Sequence, residues 1–185
     1  QGPSTRVDRV TAEGVWMPAS PLRAARAAPE ALRIGPGEVL VAGGQTPPAP
    51  ALERYNESVP EDRRALTTGD AAVDNRRGGA LVAVRDGVAL LLGGLGGDDT
   101  LATDDVLLDL GCVVGGCAPV LGRAALLSQR RHGATAARAE GHHVVVAGGT
   151  DAAGGVTDAV EVIDATDARR PMARGRVAAL PYTGL

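Results

Sequence analysis

Three apolar runs, each closed by a diglycine, divide this chain into segments of similar length. Val39-Leu40-Val41-Ala42 runs into Gly43-Gly44, Val88-Ala89-Leu90-Leu91-Leu92 into Gly93-Gly94, and Val144-Val145-Val146-Ala147 into Gly148-Gly149. The diglycines therefore recur after 50 and then 55 residues. Short runs that are apolar throughout and bounded by glycine predict strands covered on both faces. Another glycine precedes each run, in Pro36-Gly37, Asp86-Gly87 and Glu140-Gly141, where a two-residue hairpin turn needs a positive φ. Each run is thus the second strand of a hairpin.

Landmarks on either side repeat in the same order. Upstream, Arg77-Gly78-Gly79-Ala80 aligns with Arg131-His132-Gly133-Ala134, and the first repeat offers Arg26-Ala27-Ala28. Downstream, a third strand ends in an apolar residue followed by Asn or Asp: Leu52-Glu53-Arg54-Tyr55-Asn56, Val106-Leu107-Leu108-Asp109 and Val160-Glu161-Val162-Ile163-Asp164. Alternation in the last of these predicts Glu161 facing out while Val160 and Val162 face in. The diglycines suit places where two backbones approach closely, because glycine adds no Cβ. Arg77 and Arg131 are read as serving the repeat by binding a backbone carbonyl or an acidic group of a neighbouring unit. The alternative is that they line a ligand face.

An Arg-initiated strand, a turn, an apolar strand ending in Gly-Gly, a variable loop and a strand ending in a Tyr-Asp-like pair together resemble the kelch repeat. The resemblance spans about residues 14 to 182. The family's outer-strand Trp is matched only by Trp16, followed by Met17, Leu22 and Arg26; Val120-Leu121 and Met172 stand at the later places. What it implies is an all-β fold of β-propeller blades, each a four-stranded antiparallel sheet. Residues 1–185 would form one partial propeller domain with about three repeats, near 20–75, 76–129 and 130–175. Partial blade strands are expected at 1–19, where Val15-Trp16 would end one blade, and at 176–185, where Arg176 to Leu180 would open another.

A closed propeller takes four to eight blades. The resemblance therefore implies a partner: another polypeptide completing the ring, either the rest of a processed precursor or a second copy related by a two-fold axis. The start at Gln1, without Met, favours the processed precursor. A third reading is a subunit that polymerises through its open edges.

Composition narrows the function classes. Apolar residues make up 44% of the 185, with 26 Gly, 12 Pro and no Phe, and no segment approaches membrane-spanning length. The formal net charge of −3, with both signs interspersed, gives no nucleic-acid footprint. The Ala, Gly, Val and Arg bias suggests a GC-rich bacterial genome. Cys112 and Cys117 enclose Val113-Val114-Gly115-Gly116, a segment able to close into a small disulfide-bonded turn; the alternative is two small apolar loop residues. A bridge would place the protein in an oxidising compartment, secreted, periplasmic or at the cell surface.

Candidate chemistry is sparse. The histidines His132, His142 and His143 do not make a zinc set with the two cysteines. Asp98, Asp99, Asp104 and Asp105 invite a calcium reading, but their spacing fits no established loop, and a solvated acidic loop is preferred. No nucleophile elbow, zinc-protease or phosphate-loop motif occurs. Galactose oxidase, the kelch-containing enzyme type, would need a copper site that Tyr55 and Tyr182 do not supply. The expected function is a non-catalytic binding or assembly module without cofactor. It would contact protein or glycan through the loops at 45–51, 57–75, 95–105 and 150–158. The alternative is part of a sugar-directed enzyme whose site lies largely outside this chain.

Overall fold

The computed structural model describes residues 2–44, 52–85, 87–111, 119–167 and 171–179. Among these the fold is all-β, with a two-stranded antiparallel sheet followed by three four-stranded ones and little helix. β1 (Asp8–Val10) pairs with β2 (Trp16–Pro18). The first four-stranded sheet holds β3 (Glu30–Gly35), β4 (Glu38–Ala42), β5 (Leu52–Tyr55) and β6 (Ala65–Leu66). A short helix, α1 (Ala71–Asp74), leads to the second sheet of β7 (Ala80–Arg85), β8 (Val88–Leu92), β9 (Asp105–Asp109) and β10 (Val120–Ala124). The third holds β11 (Thr135–Arg138), β12 (His143–Ala147), β13 (Ala159–Asp164) and β14 (Met172–Ala179).

Each four-stranded sheet is a meander, its strands neighbouring in space as in sequence. The hairpins turn at Gly37, Gly87 and Gly141, with φ of +69°, +70° and +65°. L side chains rarely adopt that conformation, which is why glycine stands at all three turns. β7 lies between β3 and β11, so the first strands of the three sheets adjoin in chain order.

Of the three apolar runs, β8 packs as the pattern predicts, covered on both faces. Val88, Leu90 and Leu92 enter a core shared with Val144, Val146 and Ile163 of the third sheet. Ala89 and Leu91, on its other face, join Leu40, Leu52, Val73 and Leu108 in a core shared with the first sheet. Both faces of β8 are therefore removed from water, at about 1.5–3 kcal/mol for each large side chain. β4 and β12 each join only one of these cores: Leu40 and Ala42 enter one, Val144 and Val146 the other. On their other faces Val39 and Val145 are half-buried, while Val41 is buried outside both cores.

The sequence reading needs three corrections. Arg176–Ala179 does not open a further sheet: it continues β14 and pairs with Glu161, Val160 and Ala159 as the fourth strand of the third sheet. Gly175, at φ +92°, looks like a break in sequence but lies inside the strand, beside the register shifts of β14 against β13. The stretch 57–75, expected as a loop, contains β6 and α1. Glu161 does not face out. It is 1% exposed, and Val160 and Val162 take the more exposed face of β13.

Candidate functional site

Glu161 is inside because a buried arginine meets it there. The Arg131 guanidinium pairs with the Glu161 carboxylate and donates to the carbonyl oxygen of Ala159 at 3.1 Å. The same carboxylate accepts the backbone N–H of Ser128 at 2.6 Å, tying the loop before the third sheet to β13. In the first sheet Arg26 donates to the Gly43 carbonyl at 2.7 Å and faces Glu53 at 3.6 Å, both side chains being fully buried. Burial lowers the pKa of Arg26, opposed by the attraction of Glu53. Glu53 also accepts the N–H of Arg23 at 2.7 Å, as Glu161 accepts that of Ser128.

The second sheet uses Arg76, not Arg77. Arg76 donates to the Asp104 carbonyl at 2.9 Å and pairs with its carboxylate at 2.7 Å. Arg26, Arg76 and Arg131 all stand 17 residues before the first glycine of their diglycine. The alignment of Arg77 with Arg131 is therefore one residue out of register: Arg77 corresponds to His132, both bridging to the residue after their diglycine, Leu95 and Thr150. Arg77 is partly exposed and pairs with the exposed Asp99. These buried arginines bind carbonyls and carboxylates of their own sheet rather than of a neighbour.

The two glycines of each pair have different tasks. A Cβ on the second would lie 2.4 Å from the Ala27 oxygen at Gly44, 2.9 Å from the Arg77 oxygen at Gly94 and 2.8 Å from the His132 oxygen at Gly149. Each of these carbonyls lies just ahead of the first strand of the same sheet. A Cβ on the first glycine meets the following sheet: at Gly93 it would lie 2.3 Å from the Arg131 oxygen, and at Gly43 3.5 Å from the Arg77 Cα. At Gly148, with no following sheet among the described residues, the nearest atom is 3.9 Å away and belongs to the same sheet.

The four loop aspartates go separate ways. Asp98 accepts the Thr100 hydroxyl at 2.8 Å, Asp99 pairs with Arg77, and Asp104 serves Arg76 and Arg123. Asp105 is buried and accepts three backbone N–H groups, from Gly93 at 2.8 Å, Leu126 at 2.8 Å and Leu127 at 2.9 Å. Among the described residues no group of three His, Cys, Asp or Glu side chains is placed to hold a metal ion. The Tyr55 hydroxyl donates to the Ser20 carbonyl at 2.9 Å, and its ring lies 4.9 Å from the Arg64 guanidinium. Burial raises the Tyr55 pKa. Cys112, Cys117, Tyr182 and the loop at 45–51 lie outside the described residues.

The two-stranded sheet differs from the other three. β2 leads to Leu22, Arg23 and Arg26 just as β10 leads to Leu127, Ser128 and Arg131, so β1 and β2 stand where the third and fourth strands of a sheet would. The Ser4 N–H donates to the Arg26 carbonyl at 2.9 Å, the bond that Gly94 makes to Arg131; Ser4 takes a second glycine's place. Val10, Val15, Trp16 and Met17 are exposed, Trp16 by 73%. Between this sheet and the first four-stranded one lies an open groove of about 700 Å³, lined by Val7, Leu22, Ala31, Val39 and Val41 among others. No family model matches the chain, and no curated protein is similar to it.

Proposed function

We propose that this chain is part of a kelch-type β-propeller that works as a non-catalytic binding and assembly module, its open blade completed by another polypeptide. The observation that carries the reading is the groove beside β1. In the two repeated interfaces, β3 against β7 and β7 against β11, a first strand lies against a first strand. β3 has no such neighbour on its other side among the described residues, and the groove occupies that place. The missing element is a hairpin whose second, apolar strand pairs with β1 as β12 pairs with β13. Val7, Ala31 and Val39, none of them fully buried, line the groove and fit a surface that is covered in the assembled protein. Secretion, and contact with protein or glycan through the outer loops, belong to the same proposal.

Sedimentation of the 185-residue chain, alone and with a synthetic peptide of residues 135–147, tests it. The peptide carries the hairpin of β11 and β12. Self-association, or saturable peptide binding that V7D weakens, supports the reading. An 18.6 kDa monomer that ignores the peptide overturns it.

A further inference from the structure

Three arginines without a carboxylate partner among the described residues face one cavity. The cavity, of about 490 Å³, lies between the ends of the first strands, with Arg33 of β3, Arg85 of β7 and Arg138 of β11 on its walls beside Ile34, Pro36 and Leu110. Arg33 and Arg138 hold the same register position, opposite Val39 and Val144; Arg85, opposite Val88, stands two residues further along its strand. The repeat brings the ends of successive first strands to one place, where Arg33 and Arg138 arrive from one register position and Arg85 from two residues further on.

Their partners set them apart from the arginines that hold the sheets together. Arg26, Arg54, Arg76, Arg123, Arg131 and Arg174 each meet a carboxylate. Among the described residues Arg33 has only a long bond to the Gly35 carbonyl, at 3.4 Å, and Arg138 only the ring nitrogen of His142, at 3.3 Å. No described carboxylate lines the cavity; Asp86 lies outside the described residues. Three positive charges thus converge in a chain whose net charge is −3. Guanidinium groups present fixed forks of N–H donors that match phosphate, sulfate and carboxylate oxygens. The volume lies within the range of small-ligand sites, about 300–1,000 Å³.

We infer that Arg33, Arg85 and Arg138 form a binding site for a small, multiply charged anion at this end of the inner strands. The site needs only the three adjoining sheets, so it stands whether or not the propeller reading does. The ligand's charged groups would bridge the sheets and bring their first strands under a common restraint.

Isothermal titration at low ionic strength with pyrophosphate, sulfate and citrate tests the inference. One of these is expected to bind with one site per chain, and its preference distinguishes phosphate from sulfate and carboxylate sources. R33Q, R85Q and R138Q should each weaken binding about tenfold, the loss of one charge-assisted hydrogen bond, and the triple variant should abolish it. R63Q, on an exposed turn away from the cavity, should bind as the parent does. All three arginines are exposed, and circular dichroism will verify that the variants stay folded. No saturable binding of any probe, or binding that survives in the triple variant, would overturn the site.

Discussion

Gly93 packs against the backbone carbonyl of Arg131 in the next sheet: a Cβ there would sit 2.3 Å from that oxygen, and the Gly94 N–H donates to it at 2.9 Å. One diglycine thus joins two sheets, while Gly148, whose nearest atom is in its own sheet, joins none among the described residues.

G93A and G148A should therefore differ in cost. Both residues have positive φ, +60° and +66°, so each variant carries about 1–2 kcal/mol of backbone strain. G93A adds an overpacking penalty of about 1–3 kcal/mol because the obstacle is backbone. Urea unfolding should rank G93A well below G148A. Equal losses would mean that the first glycine has no part in the contact between sheets.

The buried arginines predict a second contrast. R131A leaves Glu161 buried without its counter-ion and should cost about 3–5 kcal/mol. R77A breaks a partly exposed pair and a bond to the Gly96 carbonyl, and should cost about 1 kcal/mol. Measured by chemical denaturation, a double R131M/E161Q variant, which removes both charges and leaves an acceptor for the Ser128 N–H, should recover part of the R131A loss.

Asp105 gives a third. Its carboxylate accepts three backbone N–H groups from two separate segments. D105N turns an amide NH₂ toward one of those segments, leaving buried donors unpaired at about 1–3 kcal/mol each. The thermal midpoint should fall, and amide exchange at Leu126 and Leu127 should quicken.

Acid should destabilise the fold through identifiable carboxylates. Asp164 is held below the ordinary carboxylate range by bonds from Thr166 and then by Arg174; Asp70 is lowered by Arg123, and Glu38 by Arg54. Groups depressed in the folded state contribute stability that is present above the unfolded values, about 3.9 for Asp and 4.3 for Glu, and is lost as pH falls through the folded ones. Urea midpoints should hold from neutral pH to about 5 and decline below about 4. D164N should be less stable at neutral pH and lose less on acidification. A midpoint that rises in acid would contradict this.

Much of the strand order was legible because glycine punctuates it. Gly37, Gly87 and Gly141 occupy turns that demand positive φ, and the diglycines occupy spaces that exclude a Cβ. The arginine register was not legible, for a local reason. Arg76-Arg77 is a doublet, and the glycines that follow it made Arg77 the natural match for Arg131. In the first sheet, Ala28 holds at φ +49° the place of Gly78 and Gly133, which hid the alignment further. The inward Glu161 was missed because alternation assigns a charge to the outer face, whereas a buried arginine on another segment reverses that assignment. The anion cavity left no signal in the chain either: Arg33, Arg85 and Arg138 have no common motif and meet only once the first strands adjoin.

The central claim, that β1 is an edge awaiting a strand, is tested most directly by amide hydrogen exchange at Asp8 and Val10. Val7 and Thr11 bond to the β2 side, through Ala19 and Val15, so antiparallel alternation turns the N–H groups of Asp8 and Val10 to the other edge. In the chain alone both amides should exchange rapidly, and on saturation with the peptide of residues 135–147 both should become protected while the amides of β8 stay unchanged. Protection that does not change with peptide, or that rises equally in β8, would contradict the account.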